Sequence, residues 1–150
     1  MALITLGANS GKGKILQVVQ GTSTTTASTT STSYVDTNCT ATITPSSSSS
    51  TIIGIATGFA LKDSSSNTVE YAIFRNSTDL NDTTGGGNQW GFNGATGSTN
   101  TSYIPCTMSF SDSPSTTSAT VYKVKMKMAP SGGTAYFYRL QFMTLMEIQG

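Results

Sequence analysis

The chain has 150 residues, which fits one domain that can bury enough surface to fold without disulfides or metals. Charged residues make up only 10% of it, Ser and Thr about a third, and the net charge is +1, which excludes a basic nucleic-acid-binding face. No apolar stretch is long enough to span a membrane, and the N-terminus lacks the pattern of a signal peptide. We therefore expect a protein made and assembled in the cytoplasm, without membrane insertion and without a nucleic-acid partner.

Residues 1–13 form the first distinct segment, with three glycines and no strand or helix pattern. We interpret this segment as an N-terminal arm and residues 14–150 as a single domain. The hydrophobic residues near its start are the candidate anchors of the arm: Ala2, Leu3, Ile4 and Leu6. The next stretch, KILQVVQ at 14–20, predicts a strand, and the Ser/Thr run at 22–33 fits an edge strand or an extended surface segment.

Alternation predicts the next two strands. In CTATITP, 39–45, small and apolar residues alternate with threonines, which predicts a strand with one buried face and one solvent-exposed face. Between residues 53 and 61, large apolar residues alternate with Gly or Ala, which indicates that another segment packs closely on the small face. The two cysteines, Cys39 and Cys106, are expected to be free thiols because the chain is not secreted.

The second half of the chain predicts further strands at 69–76, 106–112 and 121–128. The connection 79–103 is rich in turn residues, and a connection of that length is usually functional or contains short strands. The last of the three strands has strict period two, with one face formed by Val121 and three lysines: Lys123, Lys125 and Lys127. This lysine row fits either an acidic partner or, more often, a solvated face that prevents edge-to-edge pairing.

The final segment, 134–148, has apolar side chains on both faces. Such a strand belongs in the middle of a sheet or in a subunit interface. With eight to ten short strands and no helix-period segment to connect parallel strands, we expect an all-β fold, an antiparallel β-sandwich or jelly roll.

Catalysis is not expected, because the sequence contains no histidine. Its absence removes the usual general base near neutral pH, the common nucleophile systems and the commonest metal ligand. Asp79 and Asp82 are close in sequence, but acids in a turn-rich loop are usually turn formers. We therefore expect no enzyme activity, no metal and no cofactor.

One loop has the residue types of a carbohydrate-binding surface, in which an aromatic ring stacks on a sugar and amides bind its hydroxyls. These candidate ligand residues are Asn88, Gln89, Trp90, Phe92, Asn93 and Tyr103. The alternative, which we favour, is that Trp90 buries its ring to anchor the loop.

Several segments together resemble a family of short domains in phage and prophage fibre-like proteins. In the first half these segments are KILQVV, the Ser/Thr run, YVD and ITPSSSSS; in the second half they are DSPSTTSATVYKV, GGTAY and the terminal TLMEI. The resemblance extends from Lys14 to Ile148. It implies a trimeric β-jelly roll, similar to tumour necrosis factor and complement-type trimers, that is part of a virion and has no catalytic residues. The candidate trimer-interface residues in the last strand are Tyr136, Tyr138, Phe142 and Met146.

An arm of about thirteen residues is too short to be the shaft of a complete tail fibre. The prediction is therefore a homotrimeric capsid decoration or cement protein, or a head fibre, on the virion surface. Its arm would dock on other virion proteins, with the major capsid protein the first candidate. The alternative is a receptor- or carbohydrate-binding tip domain of a tail fibre that recognises a host surface glycan.

Overall fold

A computed structural model of the chain describes residues 13–63, 68–80, 90–92, 103–129 and 132–150, and of residues 90–92 it describes the backbone alone. Within these ranges the regular structure consists entirely of β-strands. In chain order they are β1 (Ile15–Ser23), β2 (Ala27–Thr29), β3 (Val35–Ile43), β4 (Thr51–Lys62), β5 (Thr68–Arg75), β6 (Thr78–Asp79), β7 (Trp90–Phe92), β8 (Ile104–Asp112), β9 (Thr120–Ala129) and β10 (Ala135–Ile148).

The strands form two five-stranded antiparallel sheets. The first sheet has the order β1-β10-β4-β8, with β2 paired to the beginning of β10. The second sheet has the order β3-β9-β5-β6, with β7 paired to β5. The two sheets pack face to face, which confirms the predicted antiparallel β-sandwich. The last strand is central in its sheet, as one of the two interpretations of its apolar faces required.

The core lies between the inner faces of the two sheets, where period-two alternation places every second residue. On β9 the apolar set that alternates with the lysines is fully buried: Tyr122, Val124, Met126 and Met128. Phe137, Met143 and Leu145 of β10 face them from the first sheet and are equally buried. Cys39 belongs to this core, and both cysteines are free thiols, as predicted.

The small residues of β4 face the core, because aromatic rings occupy the space above them. A Cβ atom on Gly54 would lie 2.1 Å from the ring of Phe110, and one on Gly58 would lie 2.4 Å from the ring of Phe137. The predicted close packing on this face is therefore confirmed. Its consequence is that the large residues of β4 point away from the core.

Replacing Gly58 with valine is expected to lower the free energy of unfolding by about 2 to 3 kcal/mol, because the new side chain overlaps the fully buried ring of Phe137. Thr42→Val places the same residue type at an exposed position of β3 by exchanging a hydroxyl for a methyl group and serves as the control, with an effect of at most about 0.5 kcal/mol. Urea denaturation measures both changes. Equal midpoints for Gly58→Val and the unchanged protein would contradict the packing described above.

The sandwich has two distinct ends. The arm end contains Gly13, the 44–50 loop and the C-terminus, and it is closed by hydrogen bonds from the Gly13 amide to the Gln149 carbonyl (3.1 Å) and from the Gln149 amide to the Lys14 carbonyl (2.9 Å). The loop end contains β7, Tyr103 and the β9–β10 connection, at the opposite ends of the same strands. A strand as long as β4 separates the two ends by roughly 35 to 40 Å.

Candidate interaction surfaces

The outer face of the first sheet is mainly apolar. We call this surface the apolar face; its exposed or half-buried members are Val18, Ile53, Ile55, Phe59, Leu61, Tyr136, Tyr138, Phe142, Met146 and Ile148. They form continuous rows across the sheet, since Met146 is paired with Val18 on one side and Ile53 on the other. Val18 is 59% exposed, Ile55 41% and Phe142 38%.

All four predicted interface residues of β10 lie on this face, and the structure adds large residues from β4 and β1 that the sequence analysis did not assign to an interface. Among the described outward-pointing residues of these strands, the one charged group is Arg139. Most of the polar positions on this face are threonine or serine, with Gln20 among the others, and the Oγ1 atoms of Thr57 and Thr107 are hydrogen-bonded at 2.6 Å. The surface has the composition of an interface core, which is depleted in charged residues.

The outer face of the second sheet, unlike the apolar face of the first, carries paired charges. Nζ of Lys123 and of Lys125 lie 2.7 Å and 3.0 Å from the carboxylate of Asp36, and Nζ of Lys127 lies 2.9 Å from that of Glu70. Burial by itself raises the pKa of Asp36, but the hydrogen bonds from the two lysines lower it below its usual value. Because β9 is a central strand, the lysines do not protect an edge, and that part of the prediction is wrong. Their charges are paired within the sheet.

A groove interrupts the apolar face at the loop end. It has a volume of about 450 Å³ and is lined by Phe59, Tyr103, Tyr138, Arg139 and Leu140. The ring centroids of Tyr103 and Tyr138 are 4.7 Å apart, and the guanidinium carbon of Arg139 lies 5.7 Å from the Tyr138 ring centroid. The groove thus combines three aromatic walls with one cation.

The predicted ligand loop reaches this groove through its last residue, Tyr103. Trp90 and Phe92 are described by their backbone alone, in β7, which pairs with the beginning of β5 at the loop end. Three of the loop residues lie outside the described residues: Asn88, Gln89 and Asn93. The same holds for the four arm anchors, Ala2, Leu3, Ile4 and Leu6. The sequence analysis did not identify Arg139. It could have been found, because alternation along β10 assigns this charged residue to the inner face, where a charge is unexpected.

A buried carboxylate organises the arm end. Glu147 has no exposed surface, and its Oε1 accepts hydrogen bonds from the Ser46 amide (2.7 Å), the Ser46 hydroxyl (2.7 Å) and the Ser50 hydroxyl (2.6 Å). Its Oε2 accepts a bond from Nε2 of Gln17 at 2.6 Å. Burial by itself raises the pKa of Glu147, but these hydrogen bonds outweigh it and lower the pKa to about 2. The carboxylate joins β1, β10 and the 44–50 loop.

A second acidic residue connects the two sheets at the same end. The carboxylate of Asp112 accepts hydrogen bonds from Nη1 of Arg75 (2.9 Å and 3.0 Å) and from the hydroxyl of Tyr122 (2.7 Å). Asp112 belongs to β8, whereas its two partners belong to the second sheet. Both acidic residues are structural hydrogen-bonding centres in this arrangement.

No family model matches the chain. The search of curated proteins also found no match. Across the described ranges, no three His, Cys, Asp or Glu side chains are grouped closely enough to hold a metal ion. No helix capable of crossing a membrane occurs in the part of the chain that the structure describes.

Proposed function

We propose that this protein is a structural component of a bacteriophage virion: a homotrimeric jelly-roll protein that decorates or cements the capsid, or forms a head fibre, and that is attached through its N-terminal arm. The observation that carries the proposal is the apolar face, set beside a second sheet whose outer charges are paired internally. The proposal assigns no catalytic step to the chain.

The strand order supports a jelly roll. From β3 onward the long strands alternate between the sheets: β3, β5 and β9 lie in the second sheet, and β4, β8 and β10 in the first. No two long strands that follow one another from β3 onward therefore share a sheet, as expected for two interleaved Greek keys.

The apolar face supports a subunit interface. Soluble monomers rarely expose large contiguous apolar surfaces, and this face also lacks charge apart from Arg139 at its loop end. Copies arranged around a three-fold axis would each turn this face inward and leave the ion-paired second sheet in solvent. The trimeric state is what the family resemblance implies, and the apolar face is the proposed contact surface between subunits.

The segments that carry the resemblance also meet in space. Gln17 belongs to KILQVV, Ser46 and Ser50 to ITPSSSSS, and Glu147 to TLMEI, and the four side chains share one hydrogen-bonded cluster. The polar residues that recur in these segments therefore help to close the arm end. This shared role supports a domain of the proposed type.

The two ends of the sandwich support the orientation. The arm joins the domain at the arm end, through Gly13, whereas the groove and β7 lie at the loop end. We propose that the arm end faces the capsid, where the arm contacts the major capsid protein, and that the loop end points outward from the virion.

Deleting residues 2–10 tests the attachment. We expect a folded trimer with a nearly unchanged melting temperature, because the deletion ends before the hydrogen bond from Gly13 to Gln149, but no binding to phage heads lacking the protein. A Gly/Ser replacement of the same nine positions separates the effect of arm sequence from that of arm length. Saturation of the heads by the deleted form in a sedimentation assay would show that the arm is not the attachment device.

The groove favours a second candidate, a receptor-binding tip domain of a tail fibre. Exposed aromatic residues at the end remote from the arm suit recognition of a host surface glycan. In that case neither the intact nor the deleted protein binds heads, the intact protein binds host cells, and Trp90→Ala abolishes that binding.

A further inference from the structure

We propose that the groove at the loop end is a binding site for an acidic pyranose, a sugar whose ring carries a carboxylate. In this site the Tyr103 and Tyr138 rings would stack on the sugar and Arg139 would bind the carboxylate. A single chain forms the whole groove. The inference deepens the second candidate function, which assigns glycan recognition to this groove, and it requires that the groove stay open at the loop-end margin of the apolar face in the proposed trimer.

A bulge in β10 creates the groove. From Tyr138 to Phe142 the chain takes four residue steps while the paired β4 takes two, from Phe59 to Thr57. The extra residues bring Arg139 and Leu140 to the surface together, although alternation would place one of them inside. Bulges of this kind re-aim side chains next to functional sites.

The bulge contains backbone strain. Leu140 has φ 60°, in the left-handed region, and the residue is 53% exposed. A residue with a Cβ costs roughly 1 to 2 kcal/mol in that conformation. Strained positions of this sort cluster at binding sites, because a surrounding structure must hold them in place.

Gln141 holds the bulge in place. Its side chain is fully buried, and Nε2 donates hydrogen bonds to the carbonyls of Phe137 (3.1 Å) and Thr25 (2.8 Å). The first bond spans the extra residues from Gln141 back to Phe137, and the second ties the bulge to the connection between β1 and β2. Gln141 is therefore a positioning residue that presents Arg139 and Leu140 in one orientation before any ligand binds.

The chemistry of the groove selects the ligand class. Aromatic rings offer flat apolar surfaces for the C–H face of a pyranose, and Tyr103, also 53% exposed, is accessible for such stacking. Arg139 forms no salt bridge with any carboxylate of the described residues, unlike Arg75, which is paired with Asp112. A guanidinium binds a carboxylate through two parallel hydrogen bonds, so an acidic sugar satisfies both parts of the groove. A volume of about 450 Å³ suits a short oligosaccharide.

The test is saturation-transfer NMR and titration calorimetry on the full chain with two acidic probes, 3′-sialyllactose and trigalacturonate, and with lactose as the neutral counterpart of the first. We expect at least one acidic probe to bind roughly tenfold or more tightly than lactose, and Arg139→Gln to remove that difference. Lys14→Gln removes the same charge at the arm end and is the matched control, with unchanged affinity.

Light scattering on the same variants separates this inference from the trimer proposal. Binding of an acidic probe by a protein that proves monomeric would support the groove and refute the trimer. Absence of binding by both acidic probes at roughly 10 mM, or unchanged affinity in Arg139→Gln, would overturn the sugar site. Loss of trimer in Arg139→Gln together with no binding by the intact protein would show that the groove is a subunit contact instead.

Discussion

Replacing Glu147 with glutamine is expected to lower the free energy of unfolding by roughly 2 to 4 kcal/mol, as judged by urea denaturation at neutral pH. The carboxylate accepts four hydrogen bonds in a position without solvent contact. An amide of the same size presents an NH₂ group where an acceptor is needed, so at least one donor from Ser46, Ser50 or Gln17 loses its partner. The 44–50 loop and the beginning of β1 should loosen together.

The same carboxylate makes stability depend on pH. Its pKa is lowered from the usual 4.5 to about 2, so the folded state favours the ionised form. That contribution is complete above about pH 5 and is lost as the pH falls through 4.5 towards 2, where both the folded and the unfolded chain become protonated. In Glu147→Gln the part of the acid dependence that belongs to this group should disappear.

Asp36→Asn is the matched control, since it also converts an acid to an amide. Asp36 is half exposed and its ion pairs lie on the surface, so the expected cost is below about 1 kcal/mol. Equal costs for the two variants, or an unchanged acid dependence in Glu147→Gln, would show that Glu147 does not organise the arm end.

If the protein is the proposed trimer, replacing Met146 with lysine is expected to convert it to monomers at micromolar concentration. Met146 lies on the apolar face between Val18 of β1 and Ile53 of β4, and a lysine there would place a buried, unpaired ammonium group in every proposed subunit contact. Because assembly stabilises the fold by mass action, the melting temperature of the monomeric variant should also fall and, unlike that of the trimer, should not depend on protein concentration.

Thr42→Lys adds the same charge on the outer face of the second sheet and should leave both the mass and the melting temperature unchanged. A trimer of unchanged stability in Met146→Lys would place the subunit contact elsewhere on the molecule. Monomers in both variants would point to a general effect of charge.

Much of the fold follows from period-two patterns. Strand β9 is predictable because four apolar residues and three lysines alternate without interruption, and each step of a strand changes the face. The orientation of β4 is not predictable in this way. Alternation shows that Ile53 and Ile55 share a face, but it does not show that the glycine face is the inner one. That depends on Phe110 and Phe137, which come from other strands.

The candidate sites are less predictable, because their members are remote in sequence. Gln17 and Glu147 are 130 positions apart, and only the pairing of β1 with β10 brings their side chains together. The groove depends on a bulge whose only trace in the sequence is Arg139 at an inward position. Local sequence patterns are sufficient to predict strands. These contacts depend in addition on which strands are neighbours in the sheet, which local patterns do not determine.

The most direct test of the central claim is the mass of the intact protein in solution, measured by multi-angle light scattering across the micromolar range. If the apolar face is a three-fold subunit interface, the mass is three times the 15.6 kDa of one chain and does not change on dilution through that range. A mass of 15.6 kDa throughout would contradict the account, since the apolar face would then be exposed to solvent in the functional protein.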